Sequence, residues 1–120
     1  MTPQKLFDDI VTFQRKQGEK SIKLVGKITR LCMYRHPDGL RCAVGCVLPD
    51  KLYKEKMEKE SVETLFQGFP EVENYFGSEN KYLLSDMQRV HDSSDVPYWE
   101  EKWAEVASTH NLIYTAPGEE

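Results

Sequence analysis

The chain reads as an α+β fold: a helix-rich single domain with a small β-hairpin near residues 31-43. Three observations predict it. Apolar residues recur at helical spacing near the start and again through the last third. Between these regions a strong turn signal, His36-Pro37-Asp38-Gly39, sits between two short apolar stretches. The length, 120 residues, is enough for one hydrophobic core and too little for two. The expected globular unit spans residues 1-113, followed by a frayed acidic tail at 114-120, which is short and rich in Pro, Gly and Glu.

The elements come in order along the chain. Thr2 before Pro3 starts a helix, since a Thr hydroxyl accepts an otherwise unpaired backbone N–H and proline is tolerated in the first turn. Leu6, Phe7, Ile10, Val11 and Phe13 continue it over residues 3-17, and Gly18 supplies a left-handed stop. Asp8 and Asp9 near its start, and Arg15 and Lys16 near its end, suit the helix dipole. Ile22 to Leu24 alternate as a strand does, Gly26 interrupts, and the chain can resume as strand from Ile28. Proline and glycine then make the turn of the predicted hairpin, with Cys32, Met33 and Tyr34 before it and Leu40, Arg41 and Cys42 after it. Gly45 predicts that another backbone or side chain approaches closely there.

Asp50 can cap a short helix from Lys51 to about Met57, and Ser61 another over Val62 to Gln67. Pro70 opens a third, closed by Gly77. A longer helix begins near Ser78 or Glu79 and carries Tyr82, Leu83, Met87 and Val90 to a close near His91-Asp92. Asp95 is the next cap, and Trp99, Trp103, Val106, Ala107 and His110 share one face of the last helix. Asn111 is a left-handed terminator after which Leu112 folds back.

Composition removes several function classes. Hydrophobic residues at 39% and charged residues at 30% exclude a wholly disordered chain. No apolar run approaches the roughly 18 to 20 residues of a membrane span. The start, MTPQKLFDD, lacks the pattern of a signal peptide, so a cytoplasmic protein is expected, without membrane contact. Three cysteines are an odd number, which fits reduced thiols better than a disulfide framework.

The net charge of −4 hides an asymmetry: residues 1-59 carry 13 Lys and Arg against 7 Asp and Glu, residues 60-120 carry 3 against 13. Such a split either steers a charged partner or draws the two halves together within the fold. The second is the simpler expectation. Duplex nucleic acid is disfavoured as a partner by the acidic second half and a pI near 5.4.

Candidate chemistry concentrates between Leu31 and Asp50. Cys32-x3-His36-x5-Cys42-x3-Cys46 has the residue types of a zinc site. It lacks a two-residue CxxC knuckle, and on strands Cys42 and Cys46 would stand about 13 Å apart, so no metal is favoured. Cys42 could serve as a nucleophile with His36, His91 or His110 as base. Its apolar setting, Cys-Ala-Val-Gly-Cys-Val, instead predicts buried structural thiols. His91-Asp92 lacks the further His and Asp of a metal phosphohydrolase. Glu100, Glu101 and Glu105 read as a solvated helix face.

The basic stripe from Arg15 to Arg35 counts seven positive side chains and one negative, Glu19. Within and beside it, Arg30, Arg35 and Arg41 against Tyr34 could hold a small anionic ligand such as a nucleotide, although no glycine-rich phosphate loop accompanies them. No catalytic residue and no cofactor is expected.

Cys32-Met33-Tyr34-Arg35, a turn ending in Gly39-Leu40, and Arg41-Cys42-Ala43-Val44-Gly45-Cys46-Val47-Leu48-Pro49-Asp50 resemble a family of small proteins from tailed-bacteriophage genomes. Leu84-x2-Met87-Gln88-x-Val90-His91-Asp92 and the Trp99 helix extend the similarity over most of residues 31 to 112. The resemblance implies a viral accessory protein in the bacterial cytoplasm, and small phage proteins of this size often act by binding a host enzyme or defence component, or by sequestering a signalling nucleotide.

Overall fold

A computed structural model describes residues 1-119 of the chain. The first helix, α1 (Pro3–Gln17), starts where its signals stand: the Lys5 N–H donates to the Thr2 hydroxyl at 3.2 Å, and Gly18 ends it at φ 69°. Its buried face holds Leu6, Phe7, Ile10 and Val11, each contributing about 1.5 to 3 kcal/mol of hydrophobic stabilisation. Next come β1 (Ile22–Val25) and β2 (Thr29–Cys32), an antiparallel pair that forms the whole sheet among the described residues.

The hairpin therefore lies at residues 22 to 32, not at 31-43. In the expected region only Arg35 and Arg41 form an antiparallel bridge. The turn between them is present: the His36 N–H donates to the Leu40 carbonyl and the Gly39 N–H to the His36 carbonyl, each at 2.9 Å. Strand geometry fails beyond Arg41 because the small residues let the chain coil. Cys46 N–H returns to the Cys42 carbonyl and Leu48 N–H to the Val44 carbonyl, both at 3.0 Å. Gly45 makes the coil possible, since a Cβ there would overlap the Tyr34 carbonyl and stand 2.9 Å from the Tyr34 Cα.

The short helix expected from Lys51 is replaced by a turn and a single 3-10 turn, Glu55–Met57, because Lys54 is extended (φ −138°, ψ 141°) and breaks the spiral. After it, α2 (Val62–Gly68) is capped by the Ser61 hydroxyl, which accepts from the Thr64 N–H at 3.1 Å. Then come α3 (Pro70–Phe76), α4 (Lys81–Ser93) and α5 (Trp99–Thr109). Helix α4 is central, with Leu83, Leu84, Met87, Val90 and His91 buried. Phe66 stacks on Phe76, and Trp99 tilts against Trp103 at 5.6 Å.

Asn111 takes φ 56°, and the Leu112 N–H donates to the Ala107 carbonyl at 2.8 Å, the predicted fold-back. The chain remains anchored two residues past the expected boundary at 113. Arg15 donates to the Thr115 carbonyl at 2.6 Å, and the Tyr114 hydroxyl reaches Glu100 at 2.6 Å. Glu100 is thus tied rather than freely solvated: while still partly exposed, it accepts from both Nε and a terminal nitrogen of Arg15, at 2.8 and 2.7 Å. No helix among the described residues is long and apolar enough to cross a membrane.

Candidate functional site

Tyr34 organises the region that the sequence singled out. Its side chain is buried and its hydroxyl donates to the Glu60 carbonyl. Glu58 brackets the same residue from outside, accepting the N–H groups of Tyr34 and Arg35 at 2.9 and 3.1 Å and the Tyr53 hydroxyl at 2.6 Å. Burial, reinforced by the nearby Asp92 and Glu58 carboxylates, pushes the Tyr34 hydroxyl well above the usual tyrosine range, so it stays protonated and donates to the Glu60 carbonyl. Tyr53 is pushed up to about 12 by desolvation and by its bond to Glu58.

The four residues expected to hold an anion are not drawn to one point. Tyr34 is buried and Arg30 is exposed on β2. Arg35 lies over the Tyr53 ring at 4.6 Å, donates to the Leu48 carbonyl at 2.7 Å and pairs with Asp50 at 2.7 Å. Arg41 approaches the same Asp50 carboxylate at 3.8 Å. The two arginines thus share a carboxylate at the exit of the coil, where a ligand phosphate would have to compete with it. The backbone of Arg41 is clasped by α1: its N–H donates to Gln17 Oε1 at 2.9 Å, and its carbonyl accepts from Gln14 and Gln17 at 3.0 and 2.8 Å.

The candidate zinc residues do not gather either. Among the described residues one group of metal-ligating types has its donor atoms within 4.8 Å of one another, and it joins Cys32 to His91 and Asp92, leaving out His36, Cys42 and Cys46. The His91 ring is buried and fully engaged. Its Nε2 accepts from the Ser21 N–H at 3.0 Å, so the proton sits on Nδ1, which donates to Asp92 Oδ1 at 2.8 Å. That tautomer offers no lone pair to a metal; an ion would have to break one of the two bonds. What the ring does is fasten the base of the β1–β2 hairpin to α4, while Ser21 also bonds Met33 through its hydroxyl at 2.7 Å.

The thiols are held as thiols. Burial, reinforced by the Asp92 charge, pushes Cys32 up to about 12; burial also takes Cys46 to about 12 and Cys42 well above its ordinary value. A nucleophile has to be a thiolate, and no histidine hydrogen-bonds a cysteine among the described residues. His36 accepts from the Asp38 N–H at 3.0 Å, and His110 meets Asp86 at 2.7 Å.

A cleft of about 530 Å³ opens between Tyr34 with Cys42, the Lys59–Glu63 segment, and the α4 face carrying Ser85, Gln88 and Asp92. Part of its polar wall is occupied internally: Gln88 accepts from the Val44 N–H at 3.1 Å and donates to Asp92 at 2.9 Å. Arg89 on its rim turns to Asp86 at 3.1 Å.

The β1–β2 hairpin is the opposite case. Every residue from Lys23 to Arg30 is exposed, including Leu24 at 64%, Val25 at 49% and Ile28 at 91%. None of Lys20, Lys23, Lys27 and Arg30 forms an ion pair among the described residues, so the basic charge here is not spent on the acidic half. The sequence marked the cations and the interrupted strand; it did not show that both faces of the ribbon would be uncovered. It also missed Glu58 and the Gln14–Gln17 clasp. Gln14, a polar residue on the buried face of α1, was the one signal for the clasp. Comparisons with protein-family models, curated proteins and solved structures find no match to this chain.

Proposed function

We propose that this protein is a non-enzymatic binding protein whose contact element is the β1–β2 hairpin. The observation that carries this reading is a projecting ribbon with four cations and no acid between Lys20 and Cys32, in which Leu24, Val25 and Ile28 face solvent. Soluble domains keep lone apolar residues on their surfaces without consequence. Three within five residues, ringed by unpaired cations on an element with little core of its own, mark an interaction site. The protonated thiols and the fully bonded His91 favour binding over thiol or metal chemistry. We propose further, from the resemblance to tailed-phage proteins read in the sequence over most of residues 31 to 112, a viral accessory role, in which the partner is a protein of the bacterial host or of its defences and the place of action is the host cytoplasm.

Affinity capture from bacterial lysate with the wild type and with the K23E/K27E/R30E variant tests this. A partner retained by the wild type and lost from the variant, with both chains equally folded by circular dichroism, is the expected result. Equal retention by both, or nothing above background for the wild type, overturns it.

A further inference from the structure

The register of the hairpin says how such a partner is engaged, an inference that rests on the arm being the contact element. Ile22 stands opposite Cys32, Lys23 opposite Leu31, Leu24 opposite Arg30 and Val25 opposite Thr29. Opposed residues share a face and successive residues alternate. Leu24 and Arg30 therefore lie on one face, Lys23 and Val25 on the other, and Lys27 with Ile28 at the tip. An arm made to lie on a flat surface needs one apolar face and keeps the other polar. This one exposes an aliphatic side chain on each face and a third, almost wholly uncovered, at its end.

We infer that the hairpin inserts tip first into a crevice of an acidic partner protein. Apolar walls meet Leu24 and Val25 from opposite sides, Ile28 reaches the floor, and carboxylates at the rim and near the floor meet Lys23, Arg30 and Lys27. A four-residue strand rises about 3.3 Å per residue, which sets the crevice depth on the order of 10 Å. The ribbon has two free edges, so the walls also supply hydrogen-bond partners for its outward N–H and C=O groups. That requirement disfavours a lipid surface, where those groups would go unpaired. Aliphatic side chains on both faces likewise give a phosphate backbone little to hold, and the acidic second half repels it.

Photo-crosslinking tests the geometry. A benzophenone side chain replaces Leu24, Val25 or Ile28 in turn, with exposed Tyr82 as the control position, in protein expressed in bacterial cells, and the joined peptides are sequenced. The expected result is that all three arm positions capture one protein, Leu24 and Val25 through different peptides, beside Asp or Glu residues. Adding K23E/K27E/R30E is expected to lower the yield at least about tenfold. Adducts from one face alone overturn insertion and leave the arm as a surface contact. Adducts to lipid, to nucleic acid or to a second copy of this chain, or no protein adduct above the Tyr82 control, overturn the binding role as well.

Discussion

The coil around Tyr34 and the hairpin just before it are neighbours in the chain and differ in how their polar groups are satisfied. In the coil, Glu58, Gln14, Gln17 and Gln88 each bond backbone that has no ladder of its own. Buried N–H groups have to be paired somewhere, and here side chains replace the missing sheet. In the hairpin the ladder satisfies the inner edges while the outer ones face solvent, and the side chains from Lys23 to Arg30 are exposed and have no task inside the fold. Residues that stabilise and residues free to bind are thereby segregated, so changes in the two regions should have opposite consequences.

Gly45→Ala tests the coil most severely. The added methyl overlaps the Tyr34 backbone and cannot be relieved by a rotamer change, so a loss of about 3 kcal/mol or more is expected in thermal or denaturant unfolding. Next, His91→Leu keeps an apolar body against Trp99 while orphaning the buried Ser21 N–H. About 2 to 3 kcal/mol should be lost, and amide exchange at Ser21 and Met33 should accelerate more than in α5. If exchange rises equally everywhere, the ring does not specifically anchor the hairpin.

A smaller effect is expected at Glu100. Its carboxyl is held below the ordinary range, first by its bond from Arg15 and then by Tyr114, against the opposing effect of desolvation. A carboxyl with a depressed folded value stabilises above its unfolded value, near 4.3, and loses that contribution as pH falls through the folded one. The difference between wild type and Glu100→Gln, below about 1 kcal/mol at neutral pH because the pair is partly solvated, should therefore shrink as pH drops below about 4. A difference that grows under acid would show that the tie acts otherwise.

Smallest of all, Ile28→Ser should change stability by less than about 0.5 kcal/mol. A melting temperature lowered as much as by His91→Leu would mean that the arm packs on the body and is not free to bind.

Legibility tracked the range of the interactions. Caps and stops that act within a turn or two were readable: Thr2, Gly18, Ser61, Gly77 and Asn111 all stand where their chemistry placed them. The hairpin was displaced because the turn at His36–Gly39 is real but the segment after it is not a strand; the small residues Ala43 and Gly45 let it coil. The arginines looked convergent because they flank one turn. Which acid they meet depends on Asp50, brought back by that coil.

By itself, then, the sequence determined the class of fold, the helices other than the one expected from Lys51, the close approach at Gly45 and the basic character of residues 20 to 30. Each of these rests on local backbone preference or composition. Tertiary structure decided that Glu58 and His91 are fasteners, that Arg35 and Arg41 turn to Asp50, and that the hairpin between α1 and the coil is left uncovered. Those outcomes depend on which distant groups meet, and no spacing along the chain encodes a hydrogen bond between Ser21 and His91, seventy residues apart.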